Sequence, residues 1–374
     1  MSVLLRTIKV LGLMLISTEL FAVAQMDMTP GVTEISQEVY GLHTLILWIC
    51  IVIGIGVFGV MFISMFKHRK SKGAVAANFH DNTTVEVLWT IVPFLILIGM
   101  AVPAAKTLIK METPADDAEV TIKITGYQWK WNYEYLHEGF DFFSNMSTSW
   151  DSINNKKEKG ENYLLEVDNR MVIPADTKVR FLMTSADVIH SWWVPDFAVK
   201  KDAIPGYINE AWAIVPKPGV YRGQCAELCG ANHGFMPVVV EVKSKEDYAT
   251  WLSAKKGEAA EAAAGDSKTW TLDELMAKGE QVYNTSCAGC HQAGGEGMAA
   301  AGFPALKGSK MALEDQAGHI DMVVNGSKTN PVMAAYGPQM SDADLAAVIT
   351  YERNAWGNNT GDAVQPADVK AARQ

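Results

Sequence analysis

The chain has 374 residues, more than one hydrophobic core usually organises, so two or three domains are expected. With 49% hydrophobic and 20% charged residues, its composition suits a chain that mixes membrane and soluble parts. The formal net charge is −10, and no nucleic-acid partner is expected.

In chain order, Met1 to Ala24 reads as a bacterial signal peptide. Arg6 and Lys9 form its positive end, Val10 to Ser17 its apolar core, and Ala22-Val23-Ala24 its cleavage site, so the mature chain would begin at Gln25. Leu42 to Phe66 contains no Asp, Glu, Lys or Arg, which is long enough to cross a bilayer. Val87 to Ala105 is a second uncharged run, in a span taken to about residue 108. Pro93 and Pro103 within it are tolerated in membrane helices. The short loop between them carries Lys67, Arg69, Lys70 and Lys72, and positive charge in a short loop marks the cytoplasmic side. Everything after Met111 is then exterior, which agrees with the signal peptide. Residues 1–110 hold eight basic and six acidic side chains, so the acidic excess lies on the exterior part. Such a surface would steer a basic partner, or would serve solubility alone. Cys50 lies in the first apolar run and is read as an inert, buried thiol.

Beyond a short polar connection, residues 111–253 are read as one β domain. Lys178 to Thr184 alternates apolar and polar residues and reads as a strand leading to His190. Glu138 to Glu161, rich in Asn, Ser and Lys, reads as a surface insertion between strands. The segment Cys225-Ala-Glu-Leu-Cys229-Gly-Ala-Asn-His233-Gly-Phe-Met236 places two thiols, an imidazole and a thioether within a dozen residues. Soft sulfur and imidazole ligands select copper over calcium or magnesium. Two Cys on one loop can bridge two ions, so that an added electron is shared and little has to reorganise. Taken alone, Cys-x3-Cys is also compatible with a disulfide or a zinc half-site. His190, in Asp187-Val-Ile-His190-Ser-Trp-Trp, is the candidate second imidazole.

With these residues, and the aromatic stretch Gly126-Tyr-Gln-Trp129-Lys-Trp131-Asn-Tyr133-Glu-Tyr135, the chain resembles subunit II of haem-copper cytochrome c oxidases from about Ser36 to about Trp251. The resemblance implies a cupredoxin-like antiparallel β barrel behind a two-helix transmembrane hairpin. It implies that His190, Cys225, Cys229, His233 and Met236 hold the binuclear copper centre CuA. It implies that Glu227 contributes its carbonyl to copper and its side chain to a Mg or Mn ion shared with subunit I. Trp129 is implied as the point where electrons enter, and Glu86 as the mouth of a proton path. A quinol-oxidising homologue without copper, a carrier serving another reductase, and a copper-delivery protein are the competing readings.

Residues 244–254 read as a short helix and 254–268 as a low-complexity linker, whose Ala/Glu content allows partial helix while Gly257 and Gly265 allow bending. Residues 269–374 form the last domain. Thr271 caps an amphipathic helix leading to Cys287-Ala-Gly-Cys290-His291, a covalent haem c attachment motif in which His291 ligates the iron. Four of the five Cys are thus committed to two motifs, leaving no pair for a structural disulfide. Ser341 reads as the cap of a helix running to about Asn354. This part resembles an all-α class I cytochrome c, which implies Met333 as the distal ligand, with Met340 the second candidate; Met298 and Met322 are read as loop and core residues. His43, His68, His80, His137 and His319 are read as surface or interface residues, and the tail after Gly357 as loose. The whole reads as a multi-domain membrane protein of the bacterial inner membrane. Its expected cofactors are CuA and haem c. Its expected partners are oxidase subunits I and III and an external cytochrome c or similar donor.

Overall fold

The computed structural model describes residues 27–75, 80–299, 302–330 and 333–373. The expected signal peptide lies outside the described residues. The chain divides into two units, Met1–Ala249 and Thr250–Gln374.

The first unit begins with two long helices, α1 (Glu34–Lys67) and α2 (Thr83–Glu112). Thr33 caps α1 in a reciprocal capping box with Ser36, and Asn82 caps α2 through the Val85 N–H. Both helices extend beyond the expected spans at their exterior ends. There Lys110 pairs with Glu34 at 2.9 Å and Glu38 at 2.7 Å, tying the two helices together. Along the apolar stretches the side chains face outward: Val52 is 66% and Ile55 70% exposed. Such contiguous apolar surface belongs in a bilayer rather than in water. Cys50 is on this surface and is exposed, not buried as expected, because a two-helix hairpin has no interior large enough to enclose every apolar position.

Ten strands follow: β1 (Val120–Tyr127), β2 (Lys130–Tyr135), β3 (Phe140–Ser144), β4 (Met171–Pro174), β5 (Lys178–Ser185), β6 (His190–Val194), β7 (Val199–Ala203), β8 (Asn209–Ile214), β9 (Gly219–Cys225) and β10 (Pro237–Lys243). The short helix α3 (Trp150–Ile153) lies between β3 and β4. The strands form two five-stranded sheets, ordered β3-β2-β1-β5-β8 and β4-β10-β9-β6-β7. Most pairs are antiparallel, but β1 with β5 and β4 with β10 are parallel, so the barrel is mixed rather than purely antiparallel. Burial alternates strictly along β5, with Val179, Phe181 and Met183 turned into the core. The expected insertion contains β3, which pairs with β2 and buries Phe140 and Ser144. The Phe140-Asp141-Phe142 alternation makes this strand, although polar clusters surround it. The hairpin is fastened to this domain: the Val32 N–H donates to the Asp196 carbonyl at 2.8 Å, and Lys201 meets Glu112 at 2.6 Å.

Residues Lys245–Ser267 form one continuous helix, α4, in place of a short helix and a linker. Its Ala, Glu and Lys content outweighs two glycines that cost about 1 kcal/mol each. The second unit then contains α5 (Leu272–Ser286), α6 (Ala288–His291), α7 (Lys310–Glu314), α8 (Gln316–Asn325), α9 (Asp342–Asn354) and α10 (Pro366–Ala372). Thr271 and Ser341 cap α5 and α9 as expected. Helices α5 and α9 cross at Gly279, where an added Cβ would lie 2.1 Å from the Ala347 carbonyl oxygen, so only glycine permits this approach. Leu275, Tyr283, Leu345 and Ile349 fill the core between the helices. The tail is not loose: Val364 and Val369 are fully buried, and Gln365 exchanges hydrogen bonds with Trp270.

Candidate functional site

Three strands place the first site. His190 opens β6, Cys225 closes β9, and the loop after Cys225 returns through Met236 into β10. The pairings Trp192 with Cys225 and Gln224 with Pro237 bring these strand ends to one edge. The Cys225 N–H donates to the Met236 carbonyl at 3.3 Å, and the Ala226 N–H to the Ser191 carbonyl at 3.0 Å, so backbone bonds close the loop.

The donor atoms converge. The two thiol sulfurs are 3.8 Å apart. Cys225 Sγ lies 4.0 Å from His190 Nδ1 and 3.4 Å from the Glu227 carbonyl oxygen. Cys229 Sγ lies 3.5 Å from His233 Nδ1 and 3.5 Å from Met236 Sδ. Each sulfur therefore has its own imidazole, and the remaining donors fall on both sides of the sulfur pair. Cys225, Cys229, Met236 and His190 are buried, whereas the Glu227 side chain is exposed.

The site's charges reinforce one another. Burial opposes ionisation of His190, but Asp187, whose Oδ1 is 2.8 Å from Nε2, and Cys225 raise its pKa to about 8. The same bond directs Nδ1 at the thiols. Burial pushes the Cys225 thiol up, yet His190 and backbone N–H groups prevail and lower it. Burial and the neighbouring Cys225 charge push the Cys229 thiol up.

Trp129 is half-buried and adjoins this loop: its Nε1–H donates to the Cys229 carbonyl at 3.2 Å, and Gln128 Nε2 donates to the same oxygen at 2.8 Å. Gly230, at φ +117°, gives the Trp129 ring room, since a Cβ there would lie 3.1 Å from it. Trp131 is fully buried; its Nε1–H donates to the Met236 carbonyl and its ring meets His190 edge-on. Asp187 and Gln128 were not singled out from the sequence; the Asp187-x-x-His190 spacing is the signal that could have found the first. Glu86 stands apart from this cluster, exposed in the first turn of α2.

In the second unit a cavity of about 330 Å³ is lined by Cys287, Cys290, His291 and Met333 together. His291 Nδ1 is 2.9 Å from the Pro304 carbonyl. A carbonyl can only accept, so Nδ1 carries the proton and Nε2 keeps its lone pair for a metal. Met322 and Met311 also line this cavity, while Met340 packs on the helical core instead. His319, expected as a surface or interface residue, is 3% exposed and lines the cavity beside Glu352; a partner 33 residues away is invisible to local spacing.

Comparison with known proteins gives three family matches. Residues 120–243 match the periplasmic domain of cytochrome c oxidase subunit II, and residues 22–107 match its transmembrane domain. Residues 274–351 match subunit III of cbb3-type cytochrome c oxidase. A probable cytochrome c oxidase subunit 2 of Rickettsia bellii is 40% identical over 257 residues, covering 68% of this chain and 94% of the relative. Cytochrome c oxidase subunit 2 of Arabidopsis thaliana is 40% identical over 232 residues, covering 61% and 88%. The crystal structure of the periplasmic domain of cytochrome oxidase subunit II of Bradyrhizobium japonicum is 42% identical, covers 40% of this chain and 99% of that one, and has a TM-score of 0.35.

Proposed function

We propose, from the premise that the chain belongs to the cytochrome c oxidase subunit II family, that it is the electron-accepting subunit of a respiratory oxidase and carries two redox groups of its own. It is part of an oxidoreductase complex with subunit I, anchored in the inner membrane by α1 and α2, with its β domain on the periplasmic side. The observation that carries the proposal is the convergence of His190, Cys225, Cys229, His233 and Met236 on one pair of sulfurs.

Two thiols, one imidazole beside each, a thioether and the Glu227 carbonyl form a donor set that would fit a binuclear copper site. The cavity donors fit a haem c, with Cys287 and Cys290 for the covalent links, His291 and Met333 for the iron. When bound, the two groups would supply one-electron carriage from an external cytochrome c or similar donor toward the oxygen-reducing, proton-pumping subunit I, with haem c as the first acceptor in this chain.

The protein's own residues have distinct tasks. Asp187 holds the His190 ring so that Nδ1 faces the sulfurs. Pro304 does the same for His291 through Nδ1, leaving Nε2 free. Burial of both thiols excludes water, which keeps the surroundings from reorganising with each charge change. Trp129 offers an aromatic surface hydrogen-bonded to the backbone of Cys229, and we assign electron arrival at the copper site to it. Glu227 points its carboxylate outward, where it is available to a Mg or Mn ion shared with subunit I. Glu86, at the cytoplasmic end of α2, is the candidate proton-collecting carboxylate. Subunit III is the further expected partner.

The test is to purify the oxidase through a tag on this chain and follow oxidation of reduced cytochrome c. A multispan haem protein should copurify. Trp129→Phe should slow turnover while preserving copper content, and Cys229→Ser should abolish turnover while haem c remains reducible. Full turnover by Cys229→Ser would sink the proposal.

A further inference from the structure

Gln128 is a turn residue with bonds that a turn does not require. Tyr127 on β1 pairs with Lys130 on β2, so Gln128 and Trp129 make up the turn between them and stand outside the strand ladder. Turn side chains usually face water. Here both reach the sulfur-bearing loop about 100 residues further on. Gln128 Nε2 donates to the Cys229 carbonyl at 2.8 Å, and Trp129 Nε1 donates to the same oxygen at 3.2 Å. The first bond is inside the favoured N–H···O range and the second at its outer limit. The Gln128 backbone N–H donates to Asp187 Oδ2 at 2.6 Å, while Oδ1 of that carboxylate meets His190 Nε2. Gln128 is therefore bonded to both halves of the copper-type cluster. Its backbone serves the His190 side and its side chain the Cys229 side.

We propose that Gln128 is the positioning residue for Trp129: it fixes the Cys229 carbonyl in the orientation that the Trp129 indole N–H needs. This rests on the assignment of electron arrival to Trp129. A carbonyl oxygen has two lone pairs, and the two donors take both. With one direction filled by the shorter bond, the other is left to the indole. Gly230 gives both side chains their space: a Cβ there would lie 2.9 Å from Gln128 Nε2 and 3.1 Å from Trp129 Cζ2. Its φ of +117° is one that glycine adopts without penalty, but glycine adopts many others as readily. The Cys229–Gly230 peptide thus has no intrinsic preference that turns its carbonyl to the hairpin, and the Gln128 amide imposes that direction from outside. The charge of Asp187 strengthens the bond at the backbone end, so the amide reaches out from a fixed point.

The consequence is for the ring. Trp129 is only half-buried, and its one printed hydrogen bond is the long one to Cys229. Without Gln128 the carbonyl is free to turn, and the indole spends part of its time off the loop. One neutral hydrogen bond corresponds to roughly 2–12-fold in the population of the docked ring. Gln128 itself is exposed, so replacing it leaves no hole in the core.

The test compares the full-length chain, loaded with copper and haem, with Gln128→Leu and Gln128→Glu, neither of which keeps the amide N–H. Copper content and the copper electron paramagnetic resonance spectrum should be unchanged, because no ligand is altered. UV resonance Raman reads the hydrogen-bond-sensitive indole N–H mode of Trp129. That mode is isolated in each protein by subtracting the spectrum of the same protein carrying Trp129→Phe. It should move toward the position of an unbonded indole in both variants. Stopped-flow mixing with reduced cytochrome c should show haem c reduced at the unaltered rate and copper reduced more slowly, by up to roughly 10-fold. An unmoved Trp129 mode in both variants would overturn the proposal. A moved mode with copper reduction unaltered, where Trp129→Phe slows it, would overturn it too. Lost copper or a changed copper spectrum would also overturn it, because Gln128 would then support the ligand loop itself. Failure of the underlying assignment is separately visible: Trp129→Phe would leave copper reduction at the unaltered rate, and the Raman mode would still decide whether Gln128 holds the ring.

Discussion

Gly126 offers a direct probe of how tightly the barrel holds His190. It lies in β1, paired with Trp131 on β2 and Ser185 on β5. A Cβ at this position would fall 2.7 Å from His190 Cδ2 and 3.0 Å from Cγ, where ordinary contact begins at 3.4 Å. The ring has little room to yield: it is fully buried, bonded to Asp187 through Nε2, and faced edge-on by Trp131. Overpacking of this kind costs about 1–3 kcal/mol. Replacing glycine in a strand returns about 0.5–1 kcal/mol. The net for Gly126→Ala is a loss of about 0–2.5 kcal/mol, centred at about 1 kcal/mol, or roughly 5-fold in an equilibrium constant. The same contacts hold the ring in the apoprotein, so the loss should appear both as a drop in apoprotein melting temperature and as weaker copper retention against a competing chelator. An alanine variant that keeps copper as well as the unaltered chain, with the same copper spectrum, would refute this account of the His190 wall.

In the second unit, Gly279→Ala forces α5 away from the Ala347 carbonyl, and a helix-propensity gain of about 1 kcal/mol offsets only part of the clash. Thermal unfolding followed at the haem absorbance should fall by roughly 4 °C per kcal/mol lost. Met333→Ala should convert ferric haem c from low to high spin, while Met340→Ala should leave the ligation intact; the reverse pattern in the optical spectrum would move the distal ligand to Met340. Arg353 lowers the pKa of the Asp362 carboxyl through hydrogen bonds at 3.0 and 3.1 Å. A depressed folded pKa contributes stability above the unfolded value near 3.9 and loses it as pH falls through the folded value. Asp362→Asn should therefore flatten the acid limb of melting temperature against pH, and an unchanged limb would show that other carboxylates carry it.

What could be read in advance was local chemistry. The sulfur-rich loop, the Cys-x2-Cys-His motif, the caps at Thr271 and Ser341 and the two uncharged runs are each written in consecutive residues. What stayed hidden depends on distance along the chain or on competing propensities. The parallel pairing of β1 with β5 joins residues about 60 apart. The His319–Glu352 pair joins the start of α8 to the end of α9, and nothing near His319 announces it. The Ala and Glu of the linker allowed partial helix and Gly257 and Gly265 allowed bending, and in the structure the helix runs through both glycines. The tail looked polar because its two core residues, Val364 and Val369, stand singly among polar neighbours. Within the copper-type cluster the ligand types were legible. The roles of Asp187 and Gln128 were not, because each acts through a neighbour that only the fold supplies.

Low-temperature electron paramagnetic resonance of the oxidised, copper-loaded full-length protein decides whether the sulfurs of Cys225 and Cys229 hold a pair of copper ions. Hyperfine structure from one unpaired electron shared over two equivalent copper nuclei is expected, beside a low-spin ferric haem signal. A pattern from a single copper nucleus, or a protein that loads no copper, would contradict such a pair.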